Sequence, residues 1–433
     1  MIKCMIFIVM ECLLGLILTM AGISDMYPGF VSLAVLGTGT VLIIRLFWKK
    51  TTRNNQFVIL LTGYILRVFV MLLNIYGRGI IPIPNTNSDC EGFLWTASQY
   101  YQKIETMEYT KYPYIINGIF QFFGMNRVVA QYTNTIVWVM CVMLLMRMWK
   151  KFVLSDRVKT LTLVLAALWP NYILATMQLQ RESLIAFFNM LAFCYLIEWL
   201  DGEKNCWLLF SFLATLPAAL LHSASMVIFA ANVAIIAVWN RKKKKIEISF
   251  KTMAIIIIGV IGILLLFYSP LNQILFSYIR IGDISWRAIY EFYQVAFVEG
   301  GSDYLRNMQV NNVWQFAGAT LIRMIYFMIS PVPWEWRGLQ DVIAFFMDGA
   351  IHVALFVLLV RCWIKTRNHK KRAYMLFGFL YVLAFAGIFC WGTSNAGTAM
   401  RHRSILTGFI VATTVIALAR ERVEKEDERS EIQ

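Results

Sequence analysis

Apolar stretches of about 18 to 22 residues recur along this chain from one end to the other, which is the length that an α-helix needs to cross a bilayer. They dominate the composition, since 59% of the 433 residues are hydrophobic and only 15% are charged. The runs are continuous and do not alternate between apolar and polar residues, which excludes a membrane β-barrel. The sequence therefore predicts an all-α polytopic membrane protein with a single transmembrane domain over residues 1–433.

The hydropathy predicts about twelve transmembrane helices, near 5–23, 29–47, 56–76, 128–147, 159–177, 183–200, 206–221, 223–239, 252–270, 342–360, 373–391 and 404–420. Lysine and arginine cluster between these spans, and such clusters are typical of cytoplasmic loops. The basic blocks lie at 49–53, 147–159, 241–245 and 361–372. They account for the net charge of +15 without a nucleic-acid partner, and they predict that both termini, including the charged tail 421–433, are cytoplasmic.

Segment 316–337 does not fit this topology as a simple span, because counting it would move the basic block 361–372 to the outer side. The segment contains Pro331 and Pro333, which remove backbone donors and interrupt a helix. At membrane depth, backbone broken in this way must be surrounded by protein or water. We therefore expect a re-entrant or surface segment here.

The predicted topology places the long loop 77–127 on the extracytoplasmic side, and a loop of this length between spans indicates function. We expect an amphipathic helix within it. Asp89 and Glu91, near its start, are candidate catalytic residues, either as a general base with a helper carboxylate or as two ligands of a divalent cation. The alternative is a solvated acidic turn that caps the following helix.

A short turn between two apolar spans, at 178–182, faces the same side and carries Gln178, Arg181 and Glu182. If the turn is helical, their spacing places them on one face. An arginine at the lipid boundary suits a phosphate, because its planar guanidinium group binds oxyanions with two hydrogen bonds. We treat all three as candidate substrate-binding residues. The alternatives are an internal Arg181–Glu182 pair and an arginine that simply extends towards the membrane surface.

Further outer-face candidates lie later in the chain. His222 follows a span and is a candidate proton carrier or a candidate hydrogen-bond donor to a phosphate. The alternative is a hydrogen-bonded structural histidine. Arg323, in the proline-broken segment, and Asn395, ahead of the last span, are candidate substrate-binding residues by their position.

The last span is preceded by Arg401, His402 and Arg403, on the side where the orientation rule does not expect basic residues. A phosphate-linked or pyrophosphate-linked lipid would hold them there, so they are candidate substrate-binding residues. The alternative is ion pairing with loop carboxylates, such as Asp283, Glu291 and Asp303.

Four charged or titratable residues fall inside predicted spans. Glu11 and Arg67 are a candidate structural ion pair, and Asp348 and His352 share a helical face at i and i+4. Ionisable groups inside a bilayer are usually paired when they persist. A proton-coupled carrier would also use such residues, which keeps a transporter as an alternative.

Several stretches resemble known membrane enzymes. The outer acidic loop followed by YPYIINGIFQFFG, and the paired spans in LAALWPNYILATMQLQRESLIAFFNMLAFCYLIEWL, resemble the membrane glycosyltransferases of the GT-C class. RESLIAFF followed by LLHSAS about forty residues later also resembles bacterial exopolysaccharide and O-antigen repeat-unit polymerases. The resemblance covers residues 85–239 and, more loosely, GTAMRHR near the end. The chain departs from the GT-C pattern in having two additional predicted spans before its acidic loop.

The resemblance implies a sugar donor linked to polyprenyl phosphate or pyrophosphate, and a glycan or lipid-linked acceptor. It implies transfer on the extracytoplasmic face, with Asp89 as the base and Arg181 as a lipid-phosphate contact, and His222 in a polymerase-like reaction. The alternatives are a transporter or flippase of a lipid-linked sugar and an assembly scaffold. The eight cysteines show no paired spacing, so they indicate neither a disulfide framework nor a zinc site. A divalent cation at Asp89 and Glu91 is the one cofactor considered.

Overall fold

The computed structural model describes residues 26–268 and 302–420, apart from 79, 81–82, 84–87, 107–109, 306–307 and 309, together with Met10, Leu13, Ile17 and Met20. The predicted span 5–23, with Glu11, therefore lies almost entirely outside the described residues. The outer-loop carboxylates Asp283 and Glu291 and the tail 421–433 also lie outside them.

The described chain is almost entirely helical. The helices of its first part are α1 (Met26–Lys50), α2 (Asn54–Tyr76), α3 (Ser88–Tyr101), α4 (Tyr112–Phe123), α5 (Arg127–Trp149), α6 (Asp156–Leu168), α7 (Pro170–Met177), α8 (Glu182–Leu200), α9 (Cys206–Leu221), α10 (Met226–Val238) and α11 (Phe250–Tyr268). A 3-10 turn, Ser223–Ser225, joins α9 to α10. Strands β1 (Trp239–Asn240) and β2 (Lys245–Ile246) pair antiparallel around the basic block 241–245, with Trp239 opposite Ile246.

The second part contains α12 (Val313–Ile329), α13 (Leu339–Ala344), α14 (Ala350–Lys365), α15 (His369–Phe389), α16 (Ala396–Arg403) and α17 (Thr407–Leu418). A π-helical turn, Phe345–Gly349, makes α13 and α14 one continuous helix. Short 3-10 turns at Pro333–Glu335 and Ser404–Leu406 precede α13 and α17.

Several of these helices are long and apolar enough to cross a membrane. Six qualify among the described residues, or seven if the bent pair α6–α7 is one span. The predicted count of twelve is not confirmed. Three predicted spans, 206–221, 223–239 and 404–420, form helices of 16, 13 and 12 residues. At 1.5 Å per residue these helices are about 18 to 24 Å long, shorter than the hydrocarbon core of a bilayer.

The predicted span 159–177 is broken between α6 and α7, which meet at an angle of 49°. Trp169 is extended at the break and Pro170 begins α7, because a residue before proline avoids helical geometry and proline has no amide to donate. Arg67 of α2 holds the break. It donates to Ala167 O at 2.7 Å and to Thr176 Oγ1 at 2.8 Å. The predicted partner of Arg67, Glu11, lies outside the described residues.

The core of the bundle is formed by α5, α8 and α17. The most apolar windows of α5 and α8 are 78% and 72% buried, whereas those of α1 and α2 are 17% and 33% buried. Every residue of α17 from Thr407 to Ala417 is buried. The apolar outer surfaces of α1 and α2 are therefore left for lipid.

The bundle has two polar ends, which α8 connects. Glu182, at the first residue of α8, lies among polar side chains, and Glu198, near its last residue, accepts Arg147 and Lys151 from a predicted cytoplasmic block. Sixteen residues of helix separate these two carboxylates by about 24 Å. Lys370, from another basic block, pairs with Asp201 at the same end as Glu198. The basic blocks thus gather at one end of α8, which we call the basic end.

The proline-containing segment is a helix followed by a break, as the sequence predicts. Helix α12 ends at Ile329, before Pro331 and Pro333. Its Phe316 stacks on Trp391 at 4.8 Å, and its Phe327 lies 6.3 Å from Phe389. Contacts along much of α12 thus include residues 387–391, at the end of α15 and directly after it. Since Lys370, at the start of α15, lies at the basic end, α12 packs beside the opposite end of α15.

The predicted extracytoplasmic loop 77–127 contains two helices, where the sequence predicts one amphipathic helix. Helix α3 begins at Ser88, so Asp89 and Glu91 both lie in its first turn. Helix α4 is the amphipathic one. It buries Tyr112, Ile116 and Phe120 against the bundle and leaves Phe122 84% exposed.

The topology can be tested with one cysteine at each end. In a background without the native cysteines, Glu105→Cys should react with an impermeant thiol reagent on intact cells, because this exposed residue lies in the predicted outer loop. Lys204→Cys, exposed at the basic end, is the matched control and should react only after permeabilisation. The reverse labelling pattern would contradict the predicted orientation.

Candidate functional site

Six polar side chains from four separate parts of the sequence meet at one end of the bundle. They come from the first turn of α3, the 178–182 turn with the start of α8, the end of α9 and the last turn of α16. We call this group the polar cluster, and its members are Asp89, Arg181, Glu182, His222, Arg401 and His402. The sequence predicts all six on one side of the membrane, and the structure brings them together.

Arg401 lies at the centre of the polar cluster. Its Nη1 donates to Asp89 Oδ2, and its Nε lies 3.1 Å from Glu182 Oε1. The side chains of Arg401 and Glu182 are 11% and 2% exposed, so the pair is largely shielded from water. Burial lowers the pKa of Arg401, but the charges of Glu182 and Asp89 outweigh it and raise the pKa overall. One guanidinium group therefore joins the starts of α3 and α8.

The two histidines of the cluster pack on Phe389. The His222 and His402 rings lie 4.7 Å and 4.9 Å from the Phe389 ring, and 5.7 Å from each other. Burial, followed by the charges of Arg181 and Arg401, lowers the pKa of His222 to about 3. Burial, with Arg401 as the next cause, also lowers the pKa of His402 well below its ordinary value. Both imidazoles are therefore neutral at neutral pH.

The hydrogen bonds of the two neutral imidazoles assign their tautomers. The Ala224 amide donates to His222 Nδ1 at 3.3 Å, so the proton of His222 is on Nε2, which can donate to a ligand. Arg401 Nη2 lies 3.4 Å from His402 Nε2 and can only donate, so His402 carries its proton on Nδ1, beside Thr393 Oγ1. His222 thus adds a neutral donor to the cluster, whereas the ring nitrogens of His402 are directed to protein groups.

Arg181 is held differently from Arg401. Its Nη1 donates to the carbonyl of Leu221 at 3.1 Å, and its guanidinium group lies 6.0 Å from the Phe93 ring. The alternative of an Arg181–Glu182 pair is not observed, because Glu182 pairs with Arg401. No carboxylate among the described residues forms an ion pair with Arg181. Arg181 is half-buried, and its guanidinium group forms no direct ion pair with these carboxylates.

The 178–182 turn is supported by α5. Asn134 Nδ2 donates to the carbonyls of Gln178 and Gln180, the latter at 2.8 Å. The side chain of Gln178 is buried and lies 3.6 Å from Cys90 Sγ. The structure thus gives Gln178 a role in holding the turn. Sequence reasoning missed Asn134, although an amide inside an apolar span is itself a signal of a polar contact.

Glu91 is separated from the polar cluster. It lies on α3 two residues after Asp89, but it pairs with Arg78 and Arg127, at 2.9 Å from Arg127 Nη2. Burial raises the pKa of Glu91, but hydrogen bonds and charges from Arg127 and Arg78 outweigh it and lower the pKa overall. The two predicted catalytic carboxylates therefore have different arginine partners.

Three further candidates lie outside the cluster. Arg323 is buried, donates to Cys390 O at 3.2 Å and lies 4.2 Å from the Trp391 ring. Asn395 caps α16 by accepting the Thr398 amide, and its backbone pairs with that of Asp303. Arg403 is fully buried and pairs with Asp348. These contacts give each of the three a structural partner within the protein.

The alternative of ion pairing with loop carboxylates is observed for Arg401, because its partner Asp89 lies in the predicted outer loop 77–127. Arg401 also pairs with Glu182, and Arg403 pairs with Asp348. Of the carboxylates that the sequence suggests, Asp283 and Glu291 lie outside the described residues, and the backbone of Asp303 pairs with that of Asn395. The sequence did not suggest Asp89 as a partner, since it lies 312 residues from Arg401.

The described residues contain no group of three or more histidine, cysteine, aspartate or glutamate side chains placed to hold a metal ion. A cation shared by Asp89 and Glu91 would also have to displace arginine from both carboxylates. The cluster therefore offers one carboxylate at the open side, a shielded arginine, a neutral imidazole donor and the guanidinium group of Arg181, which forms no ion pair with a described carboxylate. Comparison of the chain with protein-family models, curated proteins and solved structures gave no match.

Proposed function

We propose that this protein is a membrane glycosyltransferase of cell-surface polysaccharide assembly. It transfers a sugar or oligosaccharide from a polyprenyl phosphate or pyrophosphate carrier to a glycan or lipid-linked acceptor, in a single transfer or as a polymerase. The proposal includes a GT-C-like architecture of about twelve spans in the cell membrane. Both termini are cytoplasmic, and the polar cluster faces the extracytoplasmic side.

One observation carries the proposal: the polar cluster combines a partly exposed carboxylate with an arginine that forms no ion pair with a described carboxylate. Glycosyl transfer from a lipid phosphate requires a base for the acceptor hydroxyl and stabilisation of the departing phosphate. These two requirements correspond to Asp89 and Arg181. The cluster lies at the end opposite the basic end, where lipid phosphates and extracellular sugars meet if the basic end is cytoplasmic.

Asp89 is the proposed base. Its side chain is 29% exposed, which leaves it open to an acceptor hydroxyl, whereas that of Glu182 is only 2% exposed. Arg401 contacts Oδ2 of Asp89 and orients the carboxylate. Glu182, from the opposite side, fixes Arg401 and offsets part of its charge. Asp89 accepts the proton of the acceptor hydroxyl as that oxygen attacks the anomeric carbon of the donor.

Arg181 is the proposed contact for the phosphate that leaves. The guanidinium group presents its remaining donors beside the Leu221 carbonyl that holds Nη1. His222, which follows Leu221, adds the Nε2–H of a neutral imidazole. Together they stabilise the negative charge that grows on the phosphate as the glycosidic bond breaks. The phosphate departs with its polyprenyl chain, so no nucleotide is released in this step.

Deletion of the gene provides the test. Cells without this protein should lose or shorten one surface polysaccharide and accumulate its lipid-linked precursor on the outer leaflet. Loss of a flippase would instead leave that precursor on the inner leaflet. An unchanged glycan profile and precursor pool in the deletion strain would contradict the proposal. The parental gene should restore the glycan, which separates the effect from damage to neighbouring genes.

A further inference from the structure

We infer that Arg403 and Asp348 form a positioning pair that holds α16, and with it Arg401 and His402, against the rest of the polar cluster. The meaning of this pair for catalysis rests on the proposed function, but the geometry and its test do not. The inference gives Arg403 a role different from the phosphate contact that the sequence predicts.

Arg401 and Arg403 leave α16 in nearly opposite directions, because two residues of α-helix correspond to a rotation of about 200°. Arg401 reaches Asp89 and Glu182 on α3 and α8. Arg403 reaches Asp348 in the π-helical turn before α14. The short helix is thus held from two sides, and the two arginines have separate carboxylates.

Each of the three nitrogens of the Arg403 guanidinium group donates a hydrogen bond to the protein. Its Nε donates to Asp348 Oδ2, its Nη1 donates to Phe327 O at 2.8 Å, and its Nη2 donates to Ser330 O. The two carbonyls belong to the last turn of α12 and the residue after it. The Arg403 side chain is 0% exposed, so a lipid phosphate could reach it only by breaking these bonds. The contacts therefore favour a positioning role over a ligand-binding one.

Asp348 is equally fixed. Trp169 Nε1 donates to its Oδ1 at 2.9 Å, and its side chain is 1% exposed. Trp169 is the residue at the break between α6 and α7. His352 Nδ1, one turn along the same helix, lies 3.1 Å from the Asp348 carbonyl and packs its ring 4.7 Å from Trp169. Asp348 thus connects the helix break of α6–α7 to α16 through a single carboxylate.

Helix α16 has other ties to the bundle, and it continues through the 3-10 turn Ser404–Leu406 into α17. Asn171 of α7 donates to Met400 O at 2.8 Å, and the start of the helix is bound to residues 302–304 through backbone hydrogen bonds. The α-helical hydrogen bonding of α16 ends after 8 residues at that 3-10 turn, and such a turn within a helix often marks a hinge. Removal of the Arg403–Asp348 contact should therefore loosen the last turn, where Arg401 and His402 lie. Buried charged groups are known to fix the register in which helices pack.

The test compares the purified parent with the double variant Asp348→Leu/Arg403→Met. Removing both charges avoids the uncompensated buried charge that either single variant would leave. Hydrogen exchange of backbone amides is measured by mass spectrometry without substrate. We expect exchange at residues 396–406 to become at least about tenfold faster, while α5 and α8 keep the parental rates. The pair Arg147→Gln/Glu198→Gln at the basic end is the matched control and should leave residues 396–406 unchanged.

Two results would overturn the inference: parental exchange rates at 396–406 in the double variant, or a rise of the same size in all helices, which would make the pair a general stabiliser. If the double variant does not fold, Arg403→Lys takes its place with the same two outcomes. Lysine keeps the charge opposite Asp348 but cannot donate to both carbonyls of the α12 end. The exchange experiment contains no substrate. A negative result would therefore contradict the positioning role of the pair without contradicting the proposed glycosyl transfer.

Discussion

Replacing Asp89 by asparagine is expected to lower sugar transfer by about 100- to 10,000-fold, the usual contribution of a general base, while the protein remains folded. Asparagine keeps the shape of the side chain but cannot accept a proton at neutral pH. The ion pair with Arg401 is also lost, yet Arg401 stays in place because Glu182 lies 3.1 Å from its Nε. Transfer is measured as surface glycan in the deletion strain that carries the variant, with protein amount determined in the same membranes.

The matched control is Glu91→Gln. Glu91 lies on the same helix turn and is also paired with arginine, but its partners are Arg78 and Arg127 and it is outside the polar cluster. We expect this variant to keep nearly parental transfer, although it loses one charge just as Asp89→Asn does. Equal losses in both variants would indicate that acidic charge on α3 is needed for folding or membrane insertion. Parental glycan in Asp89→Asn would remove this carboxylate from the mechanism.

The same pair of variants separates transfer from transport. A flippase variant that loses activity leaves the precursor on the inner leaflet, whichever of the two carboxylates the flippase needs. In a transferase, only Asp89→Asn should cause the lipid-linked precursor to accumulate on the outer leaflet. The leaflet that holds the precursor therefore distinguishes the two activities even where both variants reduce the final glycan.

Hydropathy predicted the helices whose apolar runs are long and uninterrupted. Helix α8, for example, spans Glu182–Leu200 against a predicted 183–200. Hydropathy did not predict the ends of helices where tertiary contacts, and not the apolar run itself, determine where a helix stops. The predicted span 159–177 breaks at Trp169 because of Pro170, and Arg67 from another helix satisfies the Ala167 carbonyl that the break frees. A single sequence shows the proline, but it does not show the arginine that makes the break tolerable inside the bundle.

The site was predicted in its residues but not in its pairings. The topology predicted from the basic blocks assigned four residues to the extracytoplasmic side, and these residues do meet: Asp89, Glu182, His222 and Arg401. It could not distinguish Arg401 from Arg403, because both precede the last span by a few residues. Their difference arises from the helical rotation of about 200° between them and from the position of Asp348 on a distant helix. Which carboxylate each arginine contacts is therefore a property of the packed bundle.

The second large effect is expected at Arg181, and it concerns binding of the donor. The amine of lysine keeps the positive charge of arginine but cannot make the two parallel hydrogen bonds that a guanidinium group makes to a phosphate. Loss of one hydrogen bond to a charged group costs about 1.5–3 kcal/mol. Arg181→Lys should therefore weaken the binding of polyprenyl phosphate by about 10- to 150-fold, while the protein melts near the parental temperature, because Arg181 makes no ion pair with a described carboxylate.

Arg401→Lys should behave differently, because Arg401 is tied to two carboxylates. Its replacement is expected to reduce both the melting temperature and the affinity, whereas Arg181→Lys should reduce the affinity alone. The measurement is the binding of polyprenyl phosphate to purified protein in nanodiscs, with Arg147→Lys at the basic end as the matched control. If Arg181→Lys bound polyprenyl phosphate with parental affinity, Arg181 would not be a phosphate contact. Its charge would then serve only to hold the Leu221 carbonyl. A loss of affinity that Arg147→Lys shares would assign the effect to general lipid attraction instead of to Arg181.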